Sequence, residues 1–170
     1  GLAIATLLYL YSATLKKRFL LGHLSIALMG GLLLPFGGLA AGNLIPTIYA
    51  YPVTFLAFFC REVLKTVPDV DGDRAHGVDN LATRYGADTA FRFGQIGLTI
   101  CLVLLPLMQT VWTLKPAFNL MVFVVIVPLF LLVTWVIARQ DRARHVHNLL
   151  RLSKMFFLLV AVALLLGSLP

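Results

Sequence analysis

Charge is scarce in this 170-residue chain: only 12% of its residues are charged, and seven in all are acidic. Cysteine is scarcer still, with Cys60 and Cys101 alone, and no CxxC pair or zinc-ligand spacing occurs. A disulfide framework and a structural zinc site are thereby excluded, and both thiols, lying in or beside apolar runs, are expected to be small membrane-embedded side chains. The first apolar stretch has no basic flank before it and is followed by further ones, so it is not expected to be a signal peptide. There is no period-two alternation of the kind a transmembrane barrel needs, and no internal repeat or low-complexity tract.

What the chain has instead is apolar surface. Hydrophobic residues make up 60% of it and the mean hydropathy is +0.93, more than a soluble domain of this length could bury in one core. The solvent must be lipid. A spanning helix needs roughly 20 apolar residues, and such runs lie near residues 20–41, 44–64, 93–113, 117–138 and 152–169. Gly1–Tyr11 is too short to span; with no initiator Met and no charged flank, it reads as the tail of a helix. The expectation is an all-α, polytopic transmembrane helix bundle with five complete spans plus a partial first one. Residues 1–170 would then be a single membrane domain and the C-terminal portion of a longer chain.

The net charge of +7 invites a nucleic-acid reading, but the positions of the charges exclude it. Thirteen of the fourteen basic residues fall in three clusters between apolar runs: Lys16, Lys17 and Arg18; Arg61, Lys65, Arg74, Arg84 and Arg92; and Arg139, Arg142, Arg144, Arg151 and Lys154. The intervening connections, Ala41–Pro46 and Gln109–Pro116, hold only Lys115. The positive-inside rule places the three basic loops in the cytoplasm and Gly1 and Pro170 on the opposite side of the cell membrane. The last cluster is expected to meet anionic lipid headgroups.

Small residues crowd the first run, with Gly30, Gly31, Gly37, Gly38, Ala40, Ala41 and Gly42, and let helix backbones approach closely. Pro35 is expected to kink that helix.

Six of the seven acidic residues lie within one polar segment, REVLKTVPDVDGDRAHGVDNLATRYGADTA. This stretch is far longer than a bare turn needs, which makes it a candidate functional loop. Pro68 suits the first turn of a helix, and a helix starting there puts Asp69 and Asp73 on one face at i and i+4. Like charges at that spacing repel by a few tenths of a kcal/mol, so a cation would make sense of them. Mg²⁺ binds through one or two carboxylates plus phosphate oxygens, and Arg61, Lys65, Arg74 and the Lys16–Arg18 cluster would rim a diphosphate. The competing reading is a solvated loop. A calcium EF-hand fails on detail, because Gly72 precedes Asp73 and the twelfth position is Asn80.

These residues resemble the UbiA superfamily of intramembrane prenyltransferases. Asp69, Asp73 and Gly77 match its second aspartate motif, DxxxDxxxG, preceded by the Arg-Glu-x-x-Lys of Arg61, Glu62 and Lys65. Tyr11-Ser12-x-x-Leu15-Lys16 is similar to its tyrosine-lysine loop. Within the superfamily, YSATLKKRFLLGHLSIALMGGLLLPFGG and REVLKTVPDVDGDRAHGVDNLA look most like the digeranylgeranylglyceryl phosphate synthase branch. The resemblance implies a nine-helix bundle, of which this chain would form the end of the fourth helix through the ninth. It implies Mg²⁺ held by Asp69 and Asp73 as the catalytic pair, with Lys16, Lys65, Arg61 and Tyr11 contacting the diphosphate. The implied substrates are a polyprenyl diphosphate, geranylgeranyl by the branch, and a lipid acceptor such as geranylgeranylglyceryl phosphate.

Other branches use aromatic acceptors, as in quinone and tocopherol synthesis. The superfamily's first aspartate motif, NxxxDxxxD, has no match in this chain, so residues 1–170 alone are expected to be inactive. Thr66 and Pro68 stand where the archaeal-type motif carries acidic residues, and Lys16 follows Tyr11 by five positions where several members have four.

Outside this segment, His23, His76, His145 and His147 lie on or beside basic loops and read as loop-surface residues. Tyr49 and Tyr51 are candidate walls of an apolar chamber. A transporter or structural membrane subunit is the rival class, but transporters place ionisable groups near the bilayer midplane, and these spans carry almost none.

Overall fold

Lipid offers the backbone no hydrogen-bond partners, so each crossing segment must satisfy its own amides. Accordingly, every regular element in the computed structural model is helical among the residues it describes, which are 5–6, 9, 18–105, 116–138, 150, 154–160 and 162–163. The elements are α1 (Leu21–Gly31), α2 (Leu33–Ala40), α3 (Leu44–Lys65), α4 (Val70–Ala75), α5 (Leu81–Tyr85), α6 (Ala87–Leu104), α7 (Pro116–Leu120), a π-helical segment (Met121–Ile126) and α8 (Val127–Ala138). Residues 154–160 are helical as well.

Leu21–Ala40, Leu44–Lys65 and Ala87–Leu104 are long and apolar enough to cross a membrane, and Phe118–Val133 is a shorter apolar helix. The first run is two helices rather than one, broken at Leu32. Pro35 accounts for the break, because without an N–H it cannot donate to the carbonyl of Gly31 four residues back. The Thr54 hydroxyl of α3 stands 3.5 Å from that carbonyl. The third span begins at Ala87, six residues before the apolar run starting at 93 would place it. Its first two turns are amphipathic, with Ala90, Phe91 and Gly94 buried while Asp88 and Arg92 are exposed, so mean hydropathy alone underestimates it.

α1 and α2 pack antiparallel on α3 after a tight turn at Gly42, where φ is +70°. Small residues make the approach possible: a Cβ on Gly30 would lie 2.6 Å from the Phe58 ring, and one on Gly38 would collide with Thr47. α6 returns antiparallel along the other side of α3, and there a Cβ on Gly94 would meet Leu64 Cγ at 2.5 Å. Cys60, Val63, Leu64, Ala90 and Phe91 form the centre of the core, continued by Phe118, Val122, Ile126 and Phe130. Cys60 and Cys101 are free and buried, as their apolar settings predict. Leu33, Phe36, Ile45, Ile96, Val124 and Leu158 lie exposed on the outside of the helices, where lipid would cover them.

Candidate active site at one end of the bundle

α3 reaches the end of the bundle with Arg61, Glu62 and Lys65 on its last two turns. Glu62 is nearly buried and holds both cations, Arg61 Nη1 at 3.3 Å and Lys65 Nζ in a close ion pair. The helix stops at Thr66, which is buried and whose hydroxyl donates to the Val63 carbonyl at 2.7 Å. Thr66 is therefore spent on closing α3, and no acidic group projects from that position.

After a turn through Pro68, α4 begins with Asp69 as its N-cap residue. The Asp73 N–H donates to the Asp69 carbonyl at 2.8 Å, so the two aspartates stand one helical turn apart, as their spacing predicts. Asp69 is exposed and Asp73 half-buried. Asp71 turns away: it is 94% exposed and faces Arg74 at 3.6 Å. α4 ends in a Schellman turn, with Val78 N–H donating to the Asp73 carbonyl at 2.9 Å and Gly77 N–H to that of Arg74 at 3.2 Å. This turn requires a left-handed residue, and Gly77 supplies it at φ +66°. The motif's glycine thus reverses the chain and sends Asn80 back toward Asp73.

Asn80 is 1% exposed and makes two kinds of contact. Its Oδ1 accepts from the Thr83 N–H at 2.9 Å while its own N–H donates to Thr83 Oγ1, a reciprocal cap that starts α5. Its Nδ2 donates to Asp73 Oδ2 at 2.7 Å. From the other side, α1 brings His23 to the same end of the bundle. The imidazole lies within electrostatic reach of Glu62, Asp73 and Lys65, and its Nδ1 is buried without a hydrogen-bond partner. Next to it, Phe19 packs under the Arg84 guanidinium, 4.1 Å from its ring centroid, and edge-on to Tyr85. Asp79 grips the same guanidinium with both oxygens, at 2.7 and 2.6 Å, which raises the Arg84 pKa above its already high ordinary value.

Farther along the bundle, an apolar cavity of about 240 Å³ lies between α1, α2, α3, α6, α8 and the helical residues 154–160, lined among others by Gly30, Val53, Phe58, Leu98, Phe130 and Phe157. Phe58 precedes Lys65 by seven residues, so the cavity sits roughly 10 Å down the α3 axis from the charged end.

The sequence profile of the UbiA prenyltransferase family matches residues 1–161. The chain belongs to the UbiA prenyltransferase family. Its relatives include digeranylgeranylglyceryl phosphate synthases of Methanococcus aeolicus, 28% identical over 95% of this chain and 57% of the relative, and of Sulfolobus acidocaldarius, 31% identical over 99% and 61%. That of Metallosphaera sedula is 32% identical over 100% of this chain and 59% of its own. The chain thus spans about three fifths of the length of the curated relatives it matches. A solved structure described as digeranylgeranylglyceryl phosphate synthase in membranes superposes with a TM-score of 0.82 at 23% identity, covering 98% of this chain and 59% of that one. The fold is therefore the UbiA-type helical bundle, and the protein is a membrane protein.

Of the residues that the UbiA motifs single out, the structure brings Asp69, Asp73, Arg61 and Lys65 to one end of the bundle. Tyr11 and Lys16 lie outside the described residues, as do His145 and His147. Arg18 is exposed just before α1. His76 is a surface residue as expected, bonded to the Gly72 carbonyl at 2.8 Å. His23 is not: sequence neighbours suggest a loop surface, but the antiparallel return of α3 half-buries it against the acidic segment. Tyr49 and Tyr51 do not line the cavity, which phenylalanines wall instead; Tyr49 faces outward and Tyr51 packs near Gly31. Neither motif marks Asn80, and its Asn-x-x-Thr spacing ahead of α5 signals a helix cap and nothing more.

Among the described residues no three His, Cys, Asp or Glu side chains converge on one point. Asp69 and Asp73 offer hard carboxylate oxygens on adjacent turns, the donor chemistry that Mg²⁺ accepts when substrate oxygens and water complete its shell. Glu62 is not part of that set, since its Oε1 is committed to Arg61 and Lys65.

Proposed function

We propose that this protein acts as an integral-membrane prenyltransferase, moving a geranylgeranyl group from its diphosphate to geranylgeranylglyceryl phosphate with Mg²⁺ as cofactor. The observation that carries the reading is the pairing of Asp69 and Asp73 on one short helix beside the Arg61–Glu62–Lys65 cluster, above an apolar cavity. The relatives are digeranylgeranylglyceryl phosphate synthases, and transfer of a geranylgeranyl group to geranylgeranylglyceryl phosphate would give the product in that name.

Asp69 and Asp73 would hold the Mg²⁺, whose chemistry is to neutralise the diphosphate and stabilise it as a leaving group. Arg61 and Lys65, pre-aligned by Glu62, would bind diphosphate oxygens as a fixed positive field that costs no reorganisation when charge develops. Tyr11 and Lys16 would complete that rim. The cavity would take part of the isoprenoid chain and keep water from the allylic carbon. In the transfer, the allylic C–O bond breaks, the diphosphate leaves with the electron pair, the acceptor hydroxyl oxygen bonds to the carbon, and its proton is released. By the positive-inside rule, this end of the bundle would face the cytoplasm.

The test uses the complete natural protein in membranes, with labelled geranylgeranyl diphosphate, geranylgeranylglyceryl phosphate and Mg²⁺. Label should pass to the acceptor, and Asp69→Ala combined with Asp73→Ala should lower the rate by at least about a hundredfold. Undiminished transfer by the double variant would refute the assignment. Competition with 4-hydroxybenzoate or homogentisate distinguishes a lipid-acceptor enzyme, which these aromatics leave unaffected, from an aromatic-acceptor one.

A further inference from the structure

We infer that Asn80 is a positioning residue, whose side-chain amide fixes the Asp73 carboxylate in the orientation that binds the divalent cation; the inference rests on the proposed metal site. Three observations combine. Asn80 is almost fully buried, yet it has no apolar role to play there. Its orientation is set, because Oδ1 must face the Thr83 N–H and Nδ2 must face the Asp73 carboxylate for both contacts to pair a donor with an acceptor. Its partner is seven residues away and reaches it only because Gly77 reverses the chain between them.

The choice of an amide matters. A carboxylate accepts at about four lone-pair positions across its two oxygens, so one N–H bond to Oδ2 restrains rotation and leaves Oδ1 and the outer side of Oδ2 open. A Lys or Arg at this place would restrain the group equally well but would neutralise the charge that attracts the cation. Asn80 holds the carboxylate without competing with the metal. Hydrogen-bond partners of ligating carboxylates are typically worth 10- to 100-fold in metal affinity.

The competing account is that Asn80 only caps α5, and suitable variants separate the two. Glycine costs an N-cap position only a few tenths of a kcal/mol relative to asparagine, so Asn80→Gly removes the amide with little loss of capping. Thr83→Ala does the reverse, breaking the reciprocal cap while leaving the amide on Asp73. The measurement is Mn²⁺ binding to the purified complete protein with inorganic pyrophosphate present, followed by electron paramagnetic resonance, together with the thermal unfolding midpoint.

Asn80→Gly should weaken Mn²⁺ binding about 10- to 100-fold with a small change in midpoint, whereas Thr83→Ala should lower the midpoint and leave Mn²⁺ affinity within about twofold. Should Asn80→Gly not fold, Asn80→Ser keeps the cap with a side chain one atom shorter and should show the same weakening. Wild-type Mn²⁺ affinity in the folded Asn80 variant, or an equal loss in Thr83→Ala, would overturn the inference while leaving the metal site standing. No Mn²⁺ binding by the wild type, or binding indifferent to Asp73→Asn, would overturn both.

Discussion

Glu62 is the anion around which the charged end of α3 is organised. Arg61 and Lys65 both converge on its Oε1, and Glu62 and Arg61 are largely withdrawn from water. Hydrogen bonds to charged partners in such settings are worth about 1.5 to 3 kcal/mol. Glu62→Gln keeps the shape but removes the charge that holds the two cations together. The unfolding midpoint of the complete protein should fall by the equivalent of about 1 to 3 kcal/mol, and KM for the prenyl diphosphate should rise as Lys65 loses its alignment; an unchanged KM would argue against Lys65 as a diphosphate contact. At this scale the sequence was informative where spacing is local. Lys65 one turn after Arg61 and Glu62, and Asp73 one turn after Asp69, follow from 3.6-residue periodicity. His23 and Asn80 were missed for one shared reason: their partners are remote in the chain, one across an antiparallel helix pair and the other across a left-handed turn, and periodicity carries no information about either.

Between elements, the acidic segment is a chain of short helices held by turns rather than by a large core. α4 and α5 have six and five residues, too short to be stable alone. They are fixed by the Schellman turn at Gly77, by the Asn80–Thr83 cap, and by Ala82 and Val67 entering the core. Gly77→Ala forces a Cβ into a left-handed conformation at a cost of about 1 to 2 kcal/mol, although no neighbour obstructs the added atom. The variant should therefore show faster amide hydrogen exchange across residues 70–80 than the wild type, with α3 and α6 unchanged; uniform protection would place the stability of this segment elsewhere. A second tie joins this segment to the residues before α1, where Phe19 lies against Arg84 and Tyr85. Arg84→Ala loses the cation–π contact, worth about 0.5 to 1 kcal/mol at an exposed site, and the grip of Asp79. Exchange should then rise both near Phe19 and at residues 79–86, a paired response that a purely local helix defect would not give. The extents of α1 to α3 could be read from apolar run length and the Pro35 rule, whereas the start of α6 could not, because its first turns bury one face only.

For the molecule as a whole, the two ends of the bundle differ in charge, and that difference bears on which way it sits in the bilayer. The turn between α2 and α3 carries no charged residue, whereas the opposite end of the same helices carries Arg18, Arg61 and Lys65. Translocating that end would carry cations across the membrane, each costing roughly 2.5 to 3.5 kcal/mol at the bilayer centre on insertion scales, while the Gly42–Asn43 turn crosses at little expense. The aspartate segment should therefore face the cytoplasm, the compartment in which a soluble divalent cation and a diphosphate would meet it. Cysteine labelling can decide this with little background, since Cys60 and Cys101 are both buried. Asn43 and Asp71 are exposed at opposite ends of the bundle. A membrane-impermeant maleimide added to intact cells should label Asn43→Cys and spare Asp71→Cys, and inside-out vesicles should reverse the pattern. Labelling of Asp71→Cys from outside would invert the topology and put the metal site on the wrong side of the membrane for the proposed reaction.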